Sequence, residues 1–363
     1  MKKSLIALAA LAATASFAQS TVVIDGLFDV GYVSVSGDHA SYKNKSVQST
    51  AGSATTSINI KVTEDLGGGM KALVQYELDP RKSTTGIDSA APLALHQAFT
   101  GLSGNFGTVK LGNVNSASLD AFGAASPLGT ATGSGYGLTN ATVGMATRFA
   151  KSVKYESPVF NGFSASLGHA PGADVATQAS LFANQRDVTE VGLKYSNGPL
   201  NIAVASLKSG STTNQVTATV VPANTASSTH SSIGANYAIG ALTVYAGYNK
   251  GDTIGAAAVT TAGLFPLQAI NANLDTKGSR FGLKYVTGAV TLIGSYAEQD
   301  ISFASGTVTR KITGARAEYA LSKRTSLFAA YENFDTGVAS TSASATQEGG
   351  KITTTVAGVR HSF

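Results

Sequence analysis

The chain has no cysteine and no tryptophan among its 363 residues, only 8 prolines, and only 13% charged side chains. Without cysteine, disulfides and thiolate chemistry are both excluded. No Pro-rich or charge-block linker divides the chain, so one large domain is expected. Although 43% of residues are hydrophobic, no continuous apolar run after residue 18 is long enough for a membrane helix. Insertion into a membrane would therefore require alternating strands in a closed sheet, which satisfies every backbone hydrogen bond and leaves no edge in lipid.

Other absences narrow the chemistry. The five histidines, His39, His96, His169, His230 and His361, are dispersed, and none forms a local metal-ligand pattern. Gly133-Ser134-Gly135-Tyr136-Gly137 lacks the Lys-Ser/Thr pair of a phosphate-binding loop. No catalytic residue, metal or cofactor is expected. Lys2 and Lys3 precede the apolar run Leu5–Ala13, and Ser16-Phe17-Ala18 supplies small residues for cleavage. Residues 1–18 thus read as an export signal, removed after Ala18, leaving 19–363 as the mature domain. Removing Lys2 and Lys3 from 26 basic residues leaves 24 against 21 acidic ones, a formal charge of +3. That excess is too small, and too dispersed, for a nucleic-acid footprint.

What is present is two-residue alternation. Ile58, Ile60 and Val62 oppose Asn59 and Lys61; Val191, Leu193 and Tyr195 oppose Glu190, Gly192 and Lys194; Phe281, Leu283 and Tyr285 oppose Arg280, Gly282 and Lys284. Charges are costly on a lipid face, so the charged sets are expected to face a wet interior. About 16 strand candidates can be placed by this period. Tight turns at Asn161-Gly162, Asn197-Gly198-Pro199, Ile239-Gly240, Thr287-Gly288 and Ser322-Lys323 alternate with long polar stretches at 36–55, 171–185, 209–229, 250–276 and 335–350. Short turns on one rim and long loops on the other are the pattern of an all-β, closed antiparallel transmembrane barrel. Tyr32, Tyr76, Tyr155, Tyr195, Tyr237, Tyr245, Tyr285, Tyr296, Tyr319 and Tyr331, with Phe163 and Phe363, are expected at the membrane interfaces, where a ring meets lipid and a hydroxyl meets water.

Several segments carry a more specific resemblance. They are the opening Thr21-Val22-Val23-Ile24-Asp25-Gly26, then Glu64-Asp65-Leu66-Gly67-Gly68-Gly69-Met70-Lys71-Ala72, the run from Gln97 through Gly112, Ser152-Val153-Lys154-Tyr155-Glu156-Ser157-Pro158, and the terminal Phe363. Together they resemble the general porins of betaproteobacteria, trimeric channels of the Gram-negative outer membrane. The resemblance implies a 16-strand barrel in a homotrimer, a multi-pass protein of that membrane in contact with its lipids, lipopolysaccharide and assembly machinery. It also implies passive diffusion of small hydrophilic solutes and inorganic ions. Segment 114–142 looks like the family's long third loop, which folds into the lumen, with Asp120 opposite a basic wall and Phe122 pinning the loop.

On inward parity and this resemblance, Lys61, Lys110, Asp120 and Lys154 are expected at the narrow section. Glu77, His96, Lys194, Arg280, Lys284, Arg316, Glu318 and Arg360 are further lumen charges, and Phe363 is part of the assembly signal. Ser57, His96 and Asn113 stand where family members often carry arginine, and His96, with an ordinary pKa of about 6.5, contributes only partial charge near neutrality. A weak-to-moderate anion preference follows. The competing expectation is an outer-membrane structural or adhesion barrel that uses its long surface loops, although those loops lack a concentrated aromatic hot spot.

Overall fold

The computed structural model describes residues 20–38, 44–49, 52, 55–79, 94–136, 147–172, 187–210, 227–256, 272–303, 306–337 and 349–363. The expected export signal, 1–18, lies outside them. The described residues form one antiparallel sheet and one helix of note. The sheet begins with β1 (Thr21–Gly37), β2 (Asn44–Ser49), β3 (Ser57–Gly67), β4 (Met70–Asp79), β5 (Ala94–Gly104) and β6 (Gly107–Asn115). Helix α1 (Ala117–Ala125) follows. The sheet resumes with β7 (Arg148–Glu156), β8 (Phe163–Ala170), β9 (Val188–Asn197), β10 (Leu200–Ser209), β11 (Ser227–Ile239) and β12 (Leu242–Ala256). It ends with β13 (Ala272–Thr287), β14 (Val290–Phe303), β15 (Gly306–Ala320), β16 (Thr325–Asp335) and β17 (Lys351–Ser362).

Strands pair in chain order, and β1 pairs with β17 from Leu27↔Ser362 to Gly37↔Ile352, so the sheet closes on itself. Closure matters because it leaves no unpaired strand edge to lipid. There are 17 strand segments but 16 staves: β3 pairs with the lower half of β1 and β2 with its upper half, so these two make one interrupted stave. The stretch 36–55, expected as polar loop, is corrected accordingly. The break is filled near β3 by Thr56, whose hydroxyl accepts from the Asp29 amide at 3.0 Å and donates to the Asp29 carbonyl. Gly52 lies where a Cβ would press on Phe328 and Val356.

The strands also reach further than the sequence expectation. β12 continues to Ala256 and β13 starts at Ala272, which shortens the expected 250–276 loop, and β14 and β15 are separated only by residues 304–305. Ladder pairing extends these strands where their sequence turns polar, as in Lys250↔Lys277 and Asp252↔Asp275. At the opposite rim the connections are short. Gly240 and Gly288 hold φ of 59° and 56° in two-residue turns, a conformation a Cβ penalises. Both the first and last staves end at this rim, where the Phe363 amide donates to the Gly26 carbonyl at 3.1 Å and the Gly26 amide donates back at 3.2 Å.

Parity divides the wall into two chemically different faces. Val191 and Leu193, Ile233 and Tyr237, Phe281, Leu283 and Tyr285, Leu292 and Tyr296, Leu327 and Tyr331 are all exposed. Their neighbours Glu190, Arg280, Ile293 and Phe328 are buried on the other face. An exposed apolar band around a closed sheet is stable only when lipid covers it. The expected interfacial tyrosines lie on this outer face with one correction. Tyr245 shares parity with Gly247 and Asn249 on the inner face, and Tyr248 takes the outer position at 46% exposure. Tyr195 is only half-exposed, packed on Phe163 with ring centroids 4.4 Å apart.

Candidate functional site

The inner face carries a track of small residues that runs across the barrel wall. Gly192 pairs with Ala205, Ala203 with Gly234, Gly234 with Gly247, Gly282 with Ser295, and Ser295 with Gly314. The chain from 117 to 133 lies in that track. A Cβ on Gly192 would meet the Ala117 side chain, one on Gly234 the Ala121 carbonyl, one on Gly247 the Ala125 side chain, one on Gly282 the Pro127 ring, and one on Gly314 the Gly133 backbone. Helix α1 accordingly packs against β9 to β13. It buries Ala117, Ala121, Phe122 and Ala125 and keeps Asp120 half-exposed. Glycine on the wall and alanine on the helix let the two backbones approach closely while excluding water.

Polar contacts fix this seat. Ser116 caps α1, its hydroxyl accepting from the Leu119 amide at 3.0 Å. Glu190 on β9 accepts from the Ala117 amide at 2.5 Å, the Ser118 amide at 2.9 Å and the Ser118 hydroxyl at 2.5 Å. A carboxylate at the helix N-terminus satisfies amides that have no helical partner and meets the positive end of the dipole. Further along, Asn236 donates to the Ala124 carbonyl at 3.0 Å, Ser295 to the Gly133 carbonyl at 2.6 Å, and the Gly133 amide to Glu332 at 2.6 Å. The Arg280 guanidinium lies 4.0 Å from the Phe122 ring centroid, and Phe122 meets Tyr136 edge-on. Glu190→Ala should cost roughly 1.5–3 kcal/mol of this anchoring, the worth of a hydrogen-bonded charge. Limited proteolysis of the folded barrel should then cut within 116–136 faster than in the parent; an unchanged rate would show that the cap contributes nothing to the seat.

Three of the four residues expected at the narrow section converge. Lys110 lies 2.6 Å from Glu156, and Lys154 lies 3.3 Å from Glu156 and 3.9 Å from Asp120. Lys194, expected only as a further lumen charge, is the close partner of Asp120 at 2.7 Å. Lys61 is elsewhere, on β3, paired with Asp25 at 2.6 Å, with Asn59 donating to the same carboxylate. Three lysines meet two carboxylates here, and the Glu190 carboxylate lies beside them at the start of α1, so the region carries alternating charges more than a basic ring.

The remaining expected charges form separate groups. Glu77 and His96 lie 3.2 Å apart, with Asp79 3.0 Å from the other ring nitrogen and Arg148 3.9 Å from Glu77. Arg316 pairs with Glu318 at 3.1 Å. Arg360 stands across from Asp29 in the closing ladder, and Lys284 across from Thr243 and Ile293. Sequence reasoning missed Asp25, Asp79 and Arg148, the capping role of Glu190, and the small-residue track. The visible signal for the last two was Glu190-x-Gly192-x-Lys194, which puts a carboxylate, a gap and an amine in line on one face.

A closed antiparallel sheet with an exposed apolar band, a charged inner face and a helix seated against that face defines a transmembrane β-barrel built around an internal passage. The chain belongs to the Gram-negative porin family, whose family model matches residues 5–339. It is 26% identical to an outer membrane porin protein of Bordetella pertussis over 412 aligned positions that cover all of both chains. It is 34% identical to outer membrane porin protein 32 of Delftia acidovorans over 182 residues, 47% of this chain and 50% of that one. With the major outer membrane protein P.IB of Neisseria gonorrhoeae the identity is 35% over 206 residues, 54% of each chain. In these last two matches the chain spans about half the length of its relatives. Among solved structures, the anion-selective porin from Comamonas acidovorans superposes with a TM-score of 0.74 at 22% identity, covering 95% of this chain and 100% of that one. OmpF of Salmonella typhi gives 0.68 at 15%, covering 94% and 97%. Family and fold place the protein in the Gram-negative outer membrane as a multi-pass barrel.

Proposed function

We propose that the protein is a channel for passive diffusion of small hydrophilic solutes and inorganic ions, with a weak-to-moderate anion preference and no bond made or broken. The observation that carries this reading is the seat of α1 on the inner wall, with Asp120 presented to Lys154 and Lys194. In this reading, segment 114–142 narrows the passage, and the Asp120 carboxylate with its paired lysines forms a charged patch beside the path of a permeant ion. Lys110, Lys154 and Lys194 favour anions only modestly, because most of each lysine's charge is compensated nearby by Glu156, Asp120 and Glu190. Residues 19–363 act as one domain, with 1–18 removed on export. The functional unit is a homotrimer, supported by the trimer form among the structural neighbours, and it contacts outer-membrane lipids, lipopolysaccharide and the assembly machinery.

Charge reversal tests this reading. Lys110→Glu should make the local charge more negative by two. A unit charge about 4 Å from an ion's path is worth about 1 kcal/mol in water, about fivefold in a permeability ratio. The anion-to-cation ratio from reversal potentials should therefore fall by about that factor or more at low salt, and by much less at 1 M, where screening reaches about 3 Å. Lys61→Glu should have a smaller effect, since Lys61 sits apart beside Asp25. An unchanged ratio for Lys110→Glu in folded channels would remove that residue from the selectivity region.

A further inference from the structure

His96 stands where two irregularities in the ladders converge. The β4–β5 register shifts between Tyr76 and Leu78, with one more residue on β5, so that His96 and Gln97 both face Glu77. A bulge of this kind re-aims side chains. On the other side the β6–β7 register shifts between Gly112 and Val114, and Arg148 on β7 comes within 3.9 Å of Glu77. From β6, the Asn113 side-chain amide donates to the His96 carbonyl. Parity puts the group on the inner face, since Tyr76, next to Glu77, is exposed on the outer one. The His96 ring is held between two carboxylates, with Nδ1 3.2 Å from Glu77 and Nε2 3.0 Å from Asp79, and none of the three side chains is more than 14% exposed. An ionised carboxylate only accepts hydrogen bonds, and a neutral imidazole has a single N–H. Contacts on both ring nitrogens therefore need both to donate, which is the imidazolium. A neutral ring would turn a lone pair on one of the two carboxylates.

We propose that His96 is a selectivity residue of the passage, held as a full positive charge through the neutral pH range by the clamp of Glu77 and Asp79. The inference rests on the channel reading and deepens it. It replaces the partial charge expected of a histidine whose pKa is about 6.5. Each carboxylate makes a charge-assisted hydrogen bond to the ring, so the two act as positioning residues for its proton. The clamped charge sits at the foot of the inward segment. There the Asn115 amide donates to the Gln97 side chain at 3.4 Å, the Asn115 carbonyl accepts from Lys154 at 2.9 Å, and the Ser116 amide donates to the Thr147 carbonyl at 2.9 Å. A single residue, Asn115, thus joins the His96 group to the Lys154 that faces Asp120. Loss of the ring proton would make the charge beside the narrow section more negative by one.

The test compares anion-to-cation permeability ratios, from reversal potentials at low salt, at pH 5.5 and pH 8 in folded barrels. His96→Gln should lower the ratio by about two- to fivefold at both, the effect of one unit charge roughly 4–8 Å from an ion's path in water. An unclamped histidine would be only about 3% charged at pH 8, so its removal there would change nothing. His96→Arg, charged throughout, should keep the parental ratio. With the clamp removed by Glu77→Gln and Asp79→Asn, the effect of His96→Gln should survive at pH 5.5 and vanish at pH 8, a pattern that a merely structural role would not produce. An effect in the parent confined to pH 5.5, or absent at both pH values, overturns the proposal. The ¹⁵N shifts of the His96 ring, assigned by their loss in His96→Gln, read the charge without any current. Both nitrogens should be protonated at pH 8, and a neutral-ring signal there would overturn the clamp even in a barrel that passes no ions. A parent without current contradicts the channel reading, whereas a conducting parent with the same ratio as His96→Gln contradicts this one.

Discussion

Leucine at both Gly234 and Gly247 should unseat α1 and at least about double the single-channel conductance, because a helix about 10 Å across leaves the narrowest part of the passage. The reason is steric. A Cβ at Gly234 already falls on the Ala121 carbonyl and lies 2.9 Å from the Ala125 amide, while one at Gly247 falls on the Ala125 side chain. These neighbours are backbone and a methyl carried by a rigid helix, so they have no flexible end to move aside. The barrel itself should survive, since both substitutions point inward and leave the ladders intact. Gly294→Leu provides the contrast. Its Cβ would meet nothing within 4 Å, on the outer face of β14, and conductance should stay at the parental value. Parental conductance and parental solute cut-off in the double variant would mean that α1 does not narrow the passage.

Deleting Phe363 should lower the yield of folded, heat-resistant barrel by about tenfold or more. The residue completes the seam at which the sheet closes: it exchanges two backbone hydrogen bonds with Gly26 and stacks on Phe28 at 6.0 Å between centroids. The two bonds are worth roughly 1–3 kcal/mol together and the aromatic pair about 0.5–1.5 more. That sum is a tenfold to thousandfold change in a closure equilibrium. Phe363→Tyr keeps the backbone bonds and the ring and should assemble normally, whereas Phe363→Ala should fall between. The readout is the fraction that resists unfolding in detergent before heating. Normal assembly of the deletion would leave the closing seam without need of its last residue.

Much of the barrel was legible because its cause is local. Phe281, Leu283 and Tyr285 oppose Arg280, Gly282 and Lys284 within six consecutive residues, and lipid on one side with water on the other makes that alternation compulsory. Where the cause is distant, the sequence said less. Tyr245 and Tyr248 have opposite parity on one strand, and only the pairing of Tyr245 with Gly282 shows which of them faces inward. The stretch Asn44–Ser49 has no apolar alternation and is a strand because the long β1 offers it a partner. Gly192, Gly234, Gly247, Gly282 and Gly314 each look like an ordinary weak strand position. Their shared purpose exists only once the seven neighbouring strands β9 to β15 bring them into line beneath the chain from 117 to 133.

The site followed the same division. Inward parity put Lys110 and Lys154 on the inner face, and the family resemblance put Asp120 on the loop, but which of them pair belongs to tertiary structure. Lys194 was ranked below Lys61, yet Lys194 reaches Asp120 while Lys61 is held by Asp25 on the neighbouring stave. Glu190 carries no motif for helix capping, because the helix it caps is 72 residues away in the chain.

The most direct measurement is the current through the purified protein in a planar lipid bilayer under a salt gradient. The protein should give discrete, reproducible conductance steps, a reversal potential of the sign for modest anion preference, and a shift of that potential toward cations in Lys110→Glu. A folded, heat-resistant barrel that inserts and yet passes no current would contradict the channel function.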